Sequence, residues 1–303
     1  MLAQYLKSHL KLNKISHNKL HILGVFFLMF LLNSNLKADP VDDFPDENSK
    51  KIYESFLIDY DEYNTIYRIN FNEYETEKNS KNLPCSFDQH PTYENAEKCV
   101  KDLLKGGGWL IVGDSHGRDL YHTLKKIYPK QNIAMFQQSS CAPAKVNVSK
   151  KGEFCFKYMP EIINFINTSD SVQKVIFASR FYGERGTDQF IDDIRKGLYK
   201  KDILIFNAGP LIIDGPMSYL KKYGIQDKYA IQENEMIKSL NEKLTTTLSA
   251  HVKIFDKFSV FCDVNGSCKI FNNLRTLFRD EGHLLKEGMQ IYGQSIKRSS
   301  ILK

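Results

Sequence analysis

From about residue 105 to the C-terminus, short apolar runs alternate with stretches of helical period, and no other feature of the chain restricts its fold as much. The runs span residues 109–112, 133–136, 172–178, 203–206 and 252–255. Between them, 119–127, 158–166, 188–199 and 232–248 carry helical spacing, and a closing helix follows Leu285. A further helix over 93–105 is capped by Thr92 and stopped by Gly106-Gly107-Gly108. Short apolar strands separated by helices of ten or more residues mark βαβ units, which require right-handed crossovers and a parallel sheet covered on both faces. The predicted fold is therefore an α/β three-layer sandwich with a mostly parallel sheet of about five strands. In such sheets ligands bind at the carboxyl ends of the strands. Functional residues are expected just after Val112, Phe136, Ala178 and Phe206.

The N-terminal part reads differently. Lys7, Lys11, Lys14 and Lys19 precede an apolar run of eleven residues, 22–32, and then small and polar residues. That run suits a signal-peptide core and falls short of the roughly 18 to 20 residues that span a bilayer. Residues 1–38 are predicted to be a secretory signal, with a short type II membrane anchor as the alternative. Residues 39–92 form an acidic, tyrosine-rich segment, with twelve acids against three bases over 39–77. No sustained period runs through it, so it reads as an extended lead-in to a domain over 93–303. The net charge of +6 hides a balance of +10 over 78–303, spread over many lysines. No basic block interleaves with aromatics, so a nucleic-acid partner is not expected.

Six cysteines, Cys85, Cys99, Cys141, Cys155, Cys262 and Cys268, suit an oxidising compartment. Neighbour pairing (85 with 99, 141 with 155, 262 with 268) is the simplest of the fifteen arrangements that six cysteines allow. Asn147, Asn167 and Asn265 begin sequons compatible with glycosylation on that route. No cluster has metal-ligand spacing, and neither a metal nor a cofactor is expected.

Gly113-Asp114-Ser115-His116 follows the first apolar run directly, which puts Ser115 at a strand-to-helix turn on the ligand edge. Such a turn exposes a hydroxyl and aims helix-start amides at whatever it attacks. A serine there can equally serve as a helix N-cap. The second element is Asp280-Glu281-Gly282-His283-Leu284, just before the last helix. A three-residue spacing within one turn lets the Asp280 carboxylate orient the His283 imidazole, so that it accepts the serine proton. Ser115, His283 and Asp280 are the candidate nucleophile, base and orienting acid. Asn207, at the end of the fourth run, reads either as a pocket residue or as part of a turn. His116 is a candidate for substrate contact or packing.

These blocks resemble the first and last motifs of the SGNH (GDSL-like) hydrolase superfamily. They are more narrowly similar to the SGNH domain associated with acyltransferase-3 membrane proteins, through His116, the segment Ser140-Cys141-Ala142-Pro143, the Cys262 and Cys268 pair, and Asp280-x-x-His283-Leu284-x-x-x-Gly288. The resemblance covers about 105–295 and implies a flavodoxin-like sheet, hydrolysis or transfer of small acyl groups, and no metal. In the wider superfamily a glycine after the second strand and an asparagine after the third join the serine amide in the oxyanion hole. This chain has Gln138-Ser139-Ser140-Cys141 and Ala178-Ser179-Arg180-Phe181 there. The candidate donors are the amides of Ser115 and Ser140 with Arg180 adding positive charge; Arg180 as a salt-bridge partner is the other reading. The expected activity is a secreted or lumenal O-acyl, most simply O-acetyl, esterase acting on an O-acylated carbohydrate or small acyl ester. The alternatives are an O-acyltransferase working with a membrane acyltransferase partner, and an inactive glycan-binding domain.

Overall fold

All five expected strands pair in parallel, and a sixth, two residues long, joins them at the edge. The computed structural model describes residues 44–67, 84–87, 92–147, 154–181, 186–226, 229–230 and 234–303. The expected signal or anchor over 1–38 lies outside the described residues.

In chain order the first elements are α1 (Glu47–Tyr67), β1 (Cys85–Ser86), α2 (Tyr93–Leu103), β2 (Gly108–Gly113), α3 (Ser115–Ile127) and β3 (Ile133–Gln137). The ribbon strands β4 (Val146–Asn147) and β5 (Phe154–Cys155) follow, then α4 (Met159–Thr168), β6 (Val172–Ala178), α5 (Thr187–Arg195) and β7 (Ile203–Phe206). The rest comprises α6 (Gly215–Tyr223), β8 (Tyr229–Ala230), α7 (Asn234–Leu248), β9 (Lys253–Phe255) and α8 (Phe258–Phe261). Last come β10 (Ser267–Cys268), β11 (Phe271–Asn272), β12 (Arg275–Thr276) and α9 (Lys286–Ser299).

The main sheet runs β1-β3-β2-β6-β7-β9, with every pairing parallel. Without the edge strand β1 this is the flavodoxin order 2-1-3-4-5, whose direction reverses between β2 and β6. Both faces are dry. Ile111, Met135, Ile176 and Phe206 point into one hydrophobic cluster with Leu120, Leu124, Met289 and Ile296 of α3 and α9. Their strand neighbours Val112, Phe136, Phe177 and Ile205 point into a second cluster with Val100, Ile162, Phe190 and Leu244 from α2, α4, α5 and α7. This two-residue alternation between two apolar faces is why the strands read as continuous apolar runs.

The lead-in is not extended over 47–67 but helical. Asp46 caps α1, accepting from the Ser49 amide at 2.9 Å and the Ser49 hydroxyl at 2.7 Å. Phe44, Ile52 and Tyr53 then bury against the first cluster. Buried Asp59 accepts two hydrogen bonds from Arg275 Nη1, at 3.0 and 3.2 Å, which fastens α1 to the β11–β12 hairpin. The hairpin turns at Asn273-Leu274, both with positive φ (47° and 58°). All three neighbouring cysteine pairs form disulfides.

Candidate active site

The turn after β2 is built by Asp114 rather than by Ser115. Asp114 is the N-cap of α3, its buried Oδ1 accepting from the amides of His116 at 2.8 Å and Gly117 at 3.4 Å. Its Oδ2 accepts from the Ser179 hydroxyl at 2.9 Å and the Arg180 amide at 3.0 Å, across the switch point. Burial raises the Asp114 carboxyl, with those four hydrogen bonds working against it. The capping role weighed for Ser115 is therefore already filled, and Ser115 sits at the first helical position with its hydroxyl turned elsewhere.

That hydroxyl meets His283. Ser115 Oγ lies 2.8 Å from His283 Nε2, and His283 Nδ1 lies 2.8 Å from Asp280 Oδ1 and 3.0 Å from Oδ2. The Asp280 turn is closed by an antiparallel bridge between Phe278 and Leu284 and by the Arg279 amide donating to the His283 carbonyl at 2.8 Å. Asp280 Oδ1 also accepts from the Gly282 and His283 amides, at 3.1 and 3.0 Å. Arg279 donates to Oδ2 from Nε at 2.9 Å and Nη2 at 2.7 Å. Burial alone would raise the Asp280 carboxyl; the bond and charge of His283 and the Arg279 guanidinium outweigh it and hold it well below the usual carboxylate range. Asp280 thus stays ionised where a histidine base works, and the His283 tautomer with hydrogen on Nδ1 leaves Nε2 to take the serine proton.

A depressed carboxyl is also a stability statement. Its contribution is present above the unfolded value of about 3.9 and is lost as pH falls through the folded value. Asp280→Asn is accordingly expected to lower the denaturant midpoint at pH 6, and the gap to the unsubstituted protein is expected to narrow steadily below about pH 3.9.

His116 packs on the candidate base. Its ring stacks on His283 with centroids 4.5 Å apart and planes 16° apart. Burial first, then the charges of His283, Lys257 and Arg180, push His116 well below an ordinary imidazole, so it is neutral in the working range. Residue 282 must be small beside it, because a Cβ there would lie 2.8 Å from His116 Cε1. Gly282→Ala is expected to shift the stacked pair and cut kcat about tenfold, on the order of 1.4 kcal/mol in the barrier. Steady-state kinetics beside a thermal melt would show that drop with little change in Tm.

The other candidates fall into two groups. Arg180 approaches the site: its Nη2 reaches Glu281 Oε2 at 3.9 Å in a loose pair, and its charge acts on His116. The segment holding Ser140, which has φ 58°, is tied to the Ser115 turn. Ser179 Oγ donates to the Cys141 carbonyl at 3.1 Å as well as to Asp114, and the Gln138 amide donates to the Gly113 carbonyl at 3.0 Å. Asn207 is different. Its Nδ2 donates to Asp256 Oδ1 at 3.0 Å and its Oδ1 accepts from the Lys257 amide at 2.7 Å, so its carboxamide braces the β9–α8 connection. Of the sequons, Asn265 is exposed on the turn within the Cys262–Cys268 loop, whereas Asn167 spends both carboxamide atoms, on the Leu198 carbonyl and the Lys200 amide. For Asn147 only the backbone, in β4, is described. Arg279 and the capping Asp114 were not singled out in the sequence, although an acid immediately before a turn serine is a recognisable cap signal. Among the described residues no group of His, Cys, Asp or Glu could hold a metal ion.

A hydroxyl, an imidazole and a carboxylate in this order, at the switch point of a parallel sheet, define a site of the serine hydrolase or acyl-transferase class. The chain belongs to the SGNH domain family in the form fused to AT3 domains, whose model matches residues 84–298. It is similar in structure to the Salmonella ser. Paratyphi A lipopolysaccharide acetyltransferase periplasmic domain, at 15% identity and a TM-score of 0.58, covering 80% of this chain and 99% of that one. A carbohydrate acetylesterase family member from Sinorhizobium meliloti matches at 15% identity and a TM-score of 0.40, over 64% of this chain and 98% of that one. The M. smegmatis aryl esterase matches at 12% identity and a TM-score of 0.41, over 64% and 99%. No curated protein matches the chain.

Proposed function

We propose that this chain is a serine-dependent O-acyl esterase, removing small acyl groups, most simply acetyl, from a carbohydrate or related ester. The observation that carries this reading is the unbroken hydrogen-bonded line from Ser115 Oγ through His283 to Asp280. As His283 Nε2 takes the hydroxyl proton, Oγ attacks the ester carbonyl carbon and the carbonyl oxygen becomes an oxyanion. The Ser115 and Ser140 amides and the positive charge of Arg180 are the groups assigned to hold it, each such donor contributing about 3 to 4 kcal/mol to transition-state stabilisation. The imidazolium returns its proton to the leaving sugar oxygen, giving an acyl-enzyme and a free hydroxyl. Water, deprotonated by the same histidine, then releases the acid and restores Ser115.

A second reading is favoured by the family's fusion to AT3 domains and by the acetyltransferase neighbour. In it a sugar hydroxyl replaces water in the second step, and a separate membrane acyltransferase supplies the acyl group. Purified protein mixed with an aryl acetate and an unacetylated glycan separates the two: acetate alone supports the esterase, acetylated glycan the transferase. Three disulfides support an oxidising, extracytoplasmic setting, with residues 1–38 as the export signal or anchor. If the chain is glycosylated on that route, peptide mapping is expected to find glycan at Asn265 and none at Asn167.

A further inference from the structure

Close to the triad lie a buried carboxylate and a buried ammonium that the mechanism above leaves unused. Asp119 stands one helical turn after Ser115 on α3 and is fully buried. Its Oδ2 accepts a hydrogen bond at 2.9 Å from the amide of Leu284, the residue that follows His283. Its Oδ1 has no hydrogen-bond partner among the described residues. Lys257, between β9 and α8, is 3% exposed, and its Nζ likewise has no hydrogen-bond partner there. The lysine stem runs over Gly209, where a Cβ would meet its Cε at 3.0 Å, and Nζ lies 5.3 Å from the ring centroid of buried Tyr292 on α9. Burial pushes the ammonium down while the charges of Asp119 and Asp114 push it back up.

Charges withdrawn from water this completely are unfavourable unless opposite charges compensate them. Neither group reaches solvent, so surface solubility explains neither. What Asp119 joins is specific: it stands on the helix carrying the nucleophile and holds the backbone beside the base.

We propose that Asp119 is a positioning residue for the triad, fixing the His283-bearing turn to the nucleophile helix through the Leu284 amide, with Lys257 as its buried counter-charge. The proposal rests on Ser115 and His283 being the reacting pair. Its test combines the rate of fluorophosphonate labelling at Ser115 with hydrogen exchange at the Leu284 amide in the full chain, using the Ile176 amide of β6 as a control for folding. Asp119→Ala is expected to slow labelling at least about tenfold at unchanged probe saturation constant, and to speed Leu284 exchange by a similar factor, with Ile176 unaffected. Lys257→Met alone is expected to slow labelling about tenfold. Combined with Asp119→Asn, whose carbonyl still accepts from Leu284, it is expected to return to within about threefold of the unsubstituted protein. Labelling of Asp119→Ala at full speed with only a lower Tm would overturn the positioning role. A double variant no faster than Lys257→Met would overturn the counter-charge. If the unsubstituted protein does not label, the nucleophile reading falls, and Leu284 exchange still decides whether Asp119 holds the turn.

Discussion

Ser115→Ala is expected to lower kcat for an aryl acetate at least about 10⁴-fold while leaving the melting temperature within about 2 °C. The rate loss follows from removing the hydroxyl that the proposed mechanism uses as its nucleophile. The small stability change follows from the local structure, since Asp114 and not Ser115 caps α3. Asp280→Asn is expected to fall by a similar factor, because an amide cannot enforce the tautomer that leaves His283 Nε2 free to accept a proton. The Ser115→Ala, Asp280→Asn double variant is expected to be scarcely slower than Ser115→Ala alone, as the three groups act as one unit. Steady-state kinetics on the three proteins, beside their thermal melts, would check this.

Gly113→Ala is expected to have the largest effect on folding. A Cβ on Gly113 would overlap the carbonyl oxygen of Ala178, which belongs to the neighbouring strand β6 at the same level. Backbone cannot swing aside as a flexible side chain can, and β2 is the central strand with β3 and β6 on either side. The clash forces the two strands apart at the switch point, at a cost of roughly 3 kcal/mol or more. Chemical denaturation should show a midpoint shift of that size, or no folded protein at all. Gly117 faces the same carbonyl from the first turn of α3, so that helix sits close over the end of β6. Two glycines therefore allow the turn to bring Ser115 down onto the sheet edge.

Much of this arrangement could be read from the chain before its structure. The five main strands are buried on both faces and so leave uninterrupted apolar runs, which survive any error in their exact ends. Ser115, Asp280 and His283 were legible because a strand end, a turn and a following helix are local features. Other parts were hidden for stated physical reasons. Helix α1 carries its buried positions at Ile52, Tyr53 and Asp59 but exposes Leu57 and Ile58, so its apolar residues do not fall on one stripe. Strand β1 is two residues long and exists because it pairs with β3 and is joined to α2 by the Cys85–Cys99 disulfide, a tertiary effect with no periodicity of its own. Asn207 stands at a strand end on the ligand edge, as a pocket residue would, yet its partners Asp256 and Lys257 are about fifty residues away. Asp119 and Lys257 are equally invisible, since their relation depends on how α3, α8 and α9 pack.

On the proposed mechanism Ser115 is the nucleophile. The most direct measurement is reaction of the purified protein with a fluorophosphonate, followed by peptide mapping by mass spectrometry. One adduct is expected, on the peptide holding Gly113-Asp114-Ser115-His116, and none in Ser115→Ala or His283→Ala. An unmodified Ser115 peptide in folded protein, or an adduct on another serine that persists in Ser115→Ala, would contradict it.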